Sequence, residues 1–275
     1  MKKPFPLIKY FYGLLFFISL LLFIAAISLF SFGYHAPVLM YHHINYDQTY
    51  SRLQVSPESF EQQMKFLKEK HFQVVDLEVL FDILLSGKKP PSKMIALTFD
   101  DGYEDNYHYA YPILKKYNFP ATLFLIAKSI GEKNYLTLPQ IQEMESHQIR
   151  FGNHTLTHPN LTEISLDQAQ QEILGGRTLL KQWVKNPASI FCYPVGGSNL
   201  DVQSEVKKAG YRAALSTSSN GIDTLANPYA YRRIRISESL ERTPFLFGLA
   251  ASGYYSAYTQ VRKKIKRIKP WGKKS

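Results

Sequence analysis

The chain has a single cysteine among its 275 residues, Cys192, so no intrachain disulfide can form and stability must come from packing. No repeat or low-complexity linker divides it, and no charged side chain occurs from residue 11 to residue 33. These absences leave one domain of ordinary size, preceded by an apolar segment.

The net charge of +11 is confined to the two ends of the chain. Three lysines precede the apolar segment and eight Lys and Arg residues lie in 262–274, so residues 11–261 sum to zero. A neutral folded part argues against a nucleic-acid enzyme, whose basic footprint would cross the folded surface. We expect the basic tail either to contact anionic lipid headgroups or acidic wall polymers, or to be merely solvated.

Residues 11–33 form an apolar run that, at ~1.5 Å per residue, can span a hydrocarbon core of ~30 Å. Lysines without acidic neighbours precede it, so residues 1–10 are predicted to be a short cytoplasmic segment and 11–33 a transmembrane signal anchor. A cleaved signal peptide is the alternative, although its apolar region would normally be only about 7–15 residues. The predicted location is the cell membrane, single-pass, with the part of the chain after residue 33 outside.

Strand-like and helical runs alternate through the rest of the chain. The predicted strands are residues 37–44, 72–77, 94–101, 121–126, 149–154, 189–194, 211–216 and 231–236. Ser56 followed by Pro57 predicts the start of one helix, and Asp167 is predicted to cap another. Strands alternating with helices indicate a parallel α/β sheet, and this number of strands favours closure into a barrel.

Carboxylates and imidazoles follow two of these strands. Asp100 and Asp101 end a buried run, the place where chemistry concentrates in α/β folds. Adjacent strand residues point to opposite sides, so one carboxylate can bind a cation while the other handles a proton. His154 and His158 share a face if the turn between them is helical. With Asp101 they would form a catalytic site with open positions, suited to zinc or a similar divalent metal.

The motifs TFDDG and NHTLTH, which contain these residues, resemble those of the polysaccharide deacetylases of carbohydrate esterase family 4, the NodB homology group. The resemblance implies that Asp100 is the general base. It also implies that Asp101, His154 and His158 bind the metal.

The stretch FCYPVG is similar to the family's third motif, and the resemblance implies that a backbone amide near Val195 helps to hold the tetrahedral oxyanion. The family's usual Arg in this motif falls at Cys192, and its usual aromatic residue falls at Val195. Arg233 is a candidate replacement that would orient Asp100, the alternative being a solvated basic edge strand. Alternation along that strand predicts that Arg233 and Arg235 share one face.

The family's general acid is normally a histidine near the carboxyl end, yet no histidine follows His158. The run 37–44 resembles the first strand of the circularly permuted subgroup, which includes the poly-N-acetylglucosamine deacetylases. There the proton donor comes from this strand, and His42 is the matching residue. His43 is expected to point the other way in a structural role.

The resemblance implies a distorted (β/α) barrel of about seven parallel strands, with a catalytic domain at 34–240 and a C-terminal extension at 241–275. The implied activity is hydrolysis of acetamide groups on N-acetylglucosamine units of poly-N-acetylglucosamine or peptidoglycan, with Zn²⁺, or Co²⁺ or Ni²⁺, as cofactor. A glycoside hydrolase stays open as an alternative, although adjacent aspartates do not fit its usual carboxylate separation of about 5–9.5 Å. A catalytically inactive carbohydrate-binding protein is the third hypothesis.

Overall fold

The computed structural model describes residues 10–21, 35–47, 53–217, 227–237, 244–256 and 258–259. The chain divides into two compact units, one of which is Ala36–Ser252. The other comprises Met1–His35 with Gly253–Ser275, and within it residues 10–21 form an α-helix.

Among the described helices, none is both long and apolar enough to cross a membrane. The predicted anchor 11–33 is described only as far as residue 21. Residues 22–33 and 260–275, which include the basic tail, lie outside the described residues.

Strands and helices alternate along the unit Ala36–Ser252. The strands are β1 (Val38–Tyr41), β2 (His43–Ile44), β3 (Gln54–Val55), β4 (Gln73–Val74), β5 (Met94–Phe99), β6 (Ala121–Leu125), β7 (Ile149–Asn153), β8 (Ile190–Cys192), β9 (Ala213–Ser216), β10 (Tyr231–Arg232) and β11 (Ile234–Arg235). The helices are α1 (Pro57–Glu69), α2 (Leu77–Leu85), α3 (Tyr111–Tyr117), α4 (Leu138–Glu145), α5 (Leu166–Trp183), α6 (Leu200–Lys208) and α7 (Pro244–Ala251).

All pairings between these strands are parallel. The largest sheet has the order β11-β1-β5-β6-β7 with β4 also on β5, beside a sheet β10-β9-β8 and a pair β2-β3. The predicted α/β class with parallel strands is therefore confirmed. Because the described strands form separate sheets rather than one hydrogen-bonded ring, barrel closure stays a prediction.

Strand register brings the predicted site residues to one edge of the large sheet. β1 and β5 end level with each other, which puts His42 beside Asp100. β6 and β7 also end level, so His154 begins at the same edge. The carboxyl ends of parallel strands are the usual place for ligands in such sheets.

An aromatic cluster supports this edge from within the core. Tyr41, Phe60 and Phe99 are fully buried, with ring centroids 5.2 to 5.7 Å apart. Each such ring buries about 150–250 Å². The cluster thus fixes helix α1 against the ends of β1 and β5, the strands that lead into His42 and Asp100.

Helix starts follow local capping chemistry. Ser56 caps α1 with Pro57 at the first helical position, as predicted. The prediction that Asp167 caps α5 is wrong, since Ser165 is the N-cap and forms a capping box with Gln168. In this capping box each of the two side chains accepts a hydrogen bond from the backbone N–H of the other residue. Asp167 lies inside the first turn of the helix and does not cap it.

The predicted strand 231–236 is interrupted at Arg233, where the chain passes from the β9 sheet to the β1 sheet. The Arg233 backbone N–H donates to the Ser216 carbonyl at 2.9 Å. Arg233 is buried whereas Arg235 is exposed. The prediction that these arginines share one face is therefore wrong, because the interruption breaks the alternation.

Candidate active site

Two buried carboxylates stand where the chain leaves β5. The Asp100 backbone N–H still donates to the Tyr41 carbonyl at 3.0 Å, in line with the strand. Asp101 and Gly102 then both adopt left-handed conformations, with φ of 73° and 78°, and a Cβ on Gly102 would lie 2.7 Å from Leu125. The turn, rather than the pleat of a strand, therefore directs the two carboxylates to different partners.

The two histidines flank a loop that follows β7. Residues 154–158 form no helix, and Thr155 and His158 have φ of 69° and 68°. The turn between the two histidines is therefore not the helical one that their spacing would require. The left-handed turns nevertheless bring both rings to one oxygen, Asp101 Oδ1. It lies 3.4 Å from His154 Nε2 and 3.3 Å from His158 Nε2.

These three side chains fit a divalent metal ion. Their ligand atoms lie within 4.8 Å of one another, and Asp101 Oδ1 is buried without a hydrogen-bond partner among the described residues. A buried acceptor without a donor is costly, and a cation would satisfy it. His154 Nδ1 lies 2.9 Å from the Cys192 carbonyl. Because a carbonyl only accepts, Nδ1 carries a proton, and Nε2 is the ring nitrogen that faces Asp101 and would bind the metal.

Asp100 is held in a buried ion pair with Arg233. Arg233 Nη1 and Nη2 donate to the two carboxylate oxygens at 2.7 and 2.5 Å. Burial alone would raise the pKa of Asp100, but Arg233, followed by His154 and His42, outweighs burial and holds the pKa below the ordinary value. Arg233 also donates to Thr98 Oγ1 at 3.1 Å and to Cys192 Sγ at 3.0 Å. Asp100 is therefore an ionised carboxylate at neutral pH.

The adjacent histidines His42 and His43, which follow β1, have different surroundings. His42 Nε2 lies 3.9 Å from Asp100 Oδ2, and burial lowers the pKa of His42 against the opposing effect of the nearby carboxylates. His43 instead places Nδ1 2.7 Å from Asp105 Oδ2 and stacks on Tyr103 with centroids 3.7 Å apart. Only His42 therefore belongs to the cluster around Asp100.

Known proteins are similar in sequence to the part of the chain that contains this site. The family model for polysaccharide deacetylase matches residues 87–214, which contain both carboxylates and both loop histidines. YxkH of Bacillus subtilis (strain 168) carries the name of a polysaccharide deacetylase. It is 36% identical to this chain over 209 residues, which are 76% of this chain and 74% of that protein. The chain belongs to the polysaccharide deacetylase family.

Two further proteins, one of them a solved structure, are similar to this chain. Poly-beta-1,6-N-acetyl-D-glucosamine N-deacetylase of Staphylococcus aureus (strain MRSA252) is 32% identical over 199 residues, 67% of this chain and 68% of that protein. The structure of Streptococcus pyogenes deacetylase PplD in complex with acetate matches with a TM-score of 0.70 at 30% identity, covering 75% of this chain and 94% of that chain. Deacetylases of this family are hydrolases of carbon–nitrogen bonds, so the predicted family and enzyme class are confirmed.

The structure of this polysaccharide deacetylase brings most of the predicted site residues together. They are His42, Asp100, Asp101, His154, His158 and Arg233. Val195 lies in the short turn after β8, in a left-handed conformation with φ of 49°, and its side chain is exposed. The catalytic roles of these residues, including the oxyanion role of the Val195 amide, stay predictions.

Asp105 is a residue that sequence reasoning misses. Its carboxylate accepts hydrogen bonds from His43 Nδ1 at 2.7 Å, Asn45 Nδ2 at 2.7 Å and Asn106 Nδ2 at 2.6 Å. Asn106 Nδ2 also lies 2.8 Å from the His42 carbonyl oxygen. Asp105 thus fixes the segment that carries His42, and the only signal for it in the sequence is a second acidic pair, Glu104 and Asp105, shortly after Asp100 and Asp101.

Proposed function

We propose that this chain is a metal-dependent de-N-acetylase that hydrolyses the acetamide groups of N-acetylglucosamine units in a surface polysaccharide. The observation that carries the proposal is the convergence of Asp101, His154 and His158 beside the ionised carboxylate of Asp100, with His42 next to it. A ligand group, a base and a candidate acid within one cluster are what hydrolysis of an unreactive amide requires.

Asp101, His154 and His158 would hold the metal, with Zn²⁺ as the first choice and Co²⁺ or Ni²⁺ as alternatives. When bound, the ion supplies Lewis acidity, which polarises the acetamide carbonyl and lowers the pKa of water from ~15.7 toward ~7. The donor set and the unpartnered Asp101 Oδ1 support this assignment.

The chain's own groups handle the protons. Asp100, kept ionised by Arg233, takes a proton from the attacking water as its oxygen bonds to the acetamide carbon. The Val195 backbone N–H would donate to the oxyanion, where loss of one donor typically costs about 10²–10³ in turnover. In its protonated form, which the neighbouring carboxylates Asp100 and Asp101 favour and burial disfavours, His42 gives its proton to the nitrogen as the carbon–nitrogen bond breaks. Acetate and the free amine are the products.

We favour poly-N-acetylglucosamine over peptidoglycan as the polymer. The similarity to a poly-beta-1,6-N-acetyl-D-glucosamine N-deacetylase supports this choice, as does the origin of the candidate acid His42 in the first strand region. The similarity to the S. aureus relative extends over about two thirds of each protein. We take it as support for the polymer, and not for the length of the polysaccharide that is preferred.

We place the catalytic part outside the cell, anchored by residues 11–33, with the basic tail near anionic lipids or wall polymers. The uncharged run 11–33, the preceding lysines and the tail composition support this proposal. Acetate release by intact cells from an added oligomer that cannot cross the membrane tests the location.

We also propose that the two larger sheets form the distorted barrel. Only Arg233 separates β10 from β11, so one sheet continues into the other. The Ala188 N–H, just before β8, donates to the Phe151 carbonyl of β7 at 2.7 Å. These two junctions support closure of the strands around the core.

Acetate release is the direct test of the proposed activity. The full-length chain, solubilised in detergent, is incubated with β-1,6-linked N-acetylglucosamine oligomers and with peptidoglycan. We expect acetate without new reducing ends, loss of release with a chelator, and recovery when zinc, cobalt or nickel is restored.

The same assay separates the alternatives. New reducing ends without acetate would indicate a glycoside hydrolase. Metal binding without acetate from either polymer would contradict the proposed activity and favour a carbohydrate-binding role. The preferred polymer in the metal-restored reaction decides between the two substrates.

Replacing the adjacent histidines one at a time tests the general acid. His42→Ala is expected to lower kcat by about 10²–10⁴-fold, the usual contribution of a positioned acid or base, with metal affinity retained. His43→Ala is expected to lower the thermal midpoint instead, because it removes the contacts to Asp105 and Tyr103, and to lower kcat far less than His42→Ala does. An essential His43 with a dispensable His42 would show that the acid has been assigned to the wrong residue.

A further inference from the structure

A carboxylate from helix α5 holds the loop between the two candidate metal-binding histidines. Glu172 Oε2 accepts hydrogen bonds from the backbone N–H groups of Leu156 at 3.0 Å and Thr157 at 2.8 Å. Glu172 Oε1 accepts from Thr157 Oγ1 at 2.6 Å. All three donors thus come from the short stretch between His154 and His158, and both carboxylate oxygens are used.

This loop requires outside support because its backbone is strained. Thr155 and His158 are non-glycine residues with φ of 69° and 68°. Residues held in this region are energetically unfavourable and persist only where the surroundings impose the conformation. Hydrogen bonds from Ala127 N to the Thr155 carbonyl and from Lys128 N to the Leu156 carbonyl hold one side of the loop, at 3.1 and 3.0 Å.

Helix α5 approaches the other side of the loop closely enough for a carboxylate to reach it. A Cβ on Gly176 would lie 2.9 Å from the Thr155 carbonyl oxygen, and one on Gly175 would lie 3.0 Å from Leu156. Glu172 is four residues before Gly176 and so lies on the same helix face. Hydrogen bonds to an ionised carboxylate are roughly twice as strong as neutral ones, which makes Glu172 the main polar contact from this side.

We propose that Glu172 is a positioning residue for the metal centre. By holding residues 156–157 it fixes the strained loop, so that His154 and His158 already face Asp101 before the ion arrives. The inference rests on the proposed function, since it assumes that these three residues bind the metal. Nothing in the sequence distinguishes Glu172 from other polar residues of an exposed helix face.

Zinc affinity of the full-length chain, measured by competition with a chromophoric chelator, tests this role independently of turnover. Glu172→Ala is expected to bind zinc about 10–100-fold more weakly, the usual effect of losing a group that orients a ligand. Glu172→Gln should bind zinc more tightly than Glu172→Ala, because its amide oxygen still accepts both backbone N–H groups. Gln171→Ala, at an exposed position on the same helix, is the matched control and should bind as wild type does.

The outcomes separate this inference from the proposed function. If the wild type binds no zinc, or Asp101→Asn binds it as tightly, the proposed metal site itself is wrong. If Asp101→Asn loses zinc while Glu172→Ala keeps wild-type affinity, only the role of Glu172 is overturned. A fall in affinity shared by Gln171→Ala would also overturn it.

A second variant decides the matter should Glu172→Ala fail to fold. Thr157→Val removes only the hydroxyl bond to Glu172 and leaves both backbone bonds in place. We expect zinc affinity to fall by about threefold to tenfold, less than in Glu172→Ala, because only one of the three hydrogen bonds to Glu172 is lost. An unchanged affinity would count against the positioning role.

Discussion

Asp100→Asn is expected to keep the metal and lose turnover, whereas Asp101→Asn is expected to lose the metal. Both imidazoles converge on Asp101 Oδ1, while the Asp100 oxygens are occupied by Arg233. Loss of a general base typically costs about 10²–10⁴-fold in rate, and kcat of Asp100→Asn should fall by that factor at full metal occupancy. Zinc content after dialysis against graded chelator, measured together with kcat, separates the two effects.

An exposed acid provides the control for this pair. Asp201→Asn changes a carboxylate in the first turn of α6 and should alter neither zinc content nor kcat. Asp100→Asn leaves the buried Arg233 without its counter-ion, so all variants are compared below the lowest of their thermal midpoints. Equal loss of zinc in Asp100→Asn and Asp101→Asn would contradict the division of roles between the two carboxylates.

The site residues that directly follow a buried apolar run were predictable from the sequence. A buried apolar run ending in Asp100 and Asp101 indicates both the strand and the edge of the sheet at which they emerge. His42 follows another such run, and parallel pairing of the two strands brings it to the same level as Asp100. Periodicity and turn chemistry are sufficient here because each feature depends on neighbours in the chain.

Features that depend on distant contacts or on unusual backbone were not predictable in the same way. Arg233 meets Asp100 across 133 positions of sequence, and its burial follows from a break between two short strands that alternation cannot reveal. The loop from His154 to His158 turns through residues in the left-handed conformation, whereas the spacing of the two histidines indicates a helical turn. Glu172 reaches that loop only because helix α5 carries two glycines where it approaches.

Arg233→Met is expected to shift the acid limb of the pH–rate profile upward. In the wild type, burial raises the pKa of Asp100, and Arg233 is the largest of the charges that outweigh it, followed by His154 and His42. Methionine removes the positive charge and keeps the burial, so the pKa of Asp100 should rise above its ordinary value. The base would then be protonated at pH values where the wild type is active. We expect kcat/KM of the metal-loaded variant, followed from pH 4 to 9, to fall by about 10²-fold or more on the acid side.

The same variant should be less stable, with a pH dependence of defined sign. Removing one partner of a buried ion pair typically costs about 3–5 kcal/mol. The lowered pKa of Asp100 in the folded wild type means that its contribution is present above the unfolded pKa of ~3.9 and is lost as pH falls through the folded value. In Arg233→Met the folded pKa is raised instead, so the folded state binds more protons and stability is lost as pH rises. The difference in free energy of unfolding between the metal-free proteins should therefore widen from pH 4 to pH 7.

Two further variants show whether charge or shape underlies these effects. Arg233→Lys restores a positive charge but cannot donate to both Asp100 oxygens as the guanidinium fork does, so its acid limb should fall between those of wild type and Arg233→Met. Combining Arg233→Met with Asp100→Asn removes the unpaired buried charge and should recover stability at pH 7 relative to Arg233→Met alone. A wild-type acid limb in Arg233→Met, together with a stability difference that does not change with pH, would mean that Asp100 does not depend on Arg233 for its ionised state.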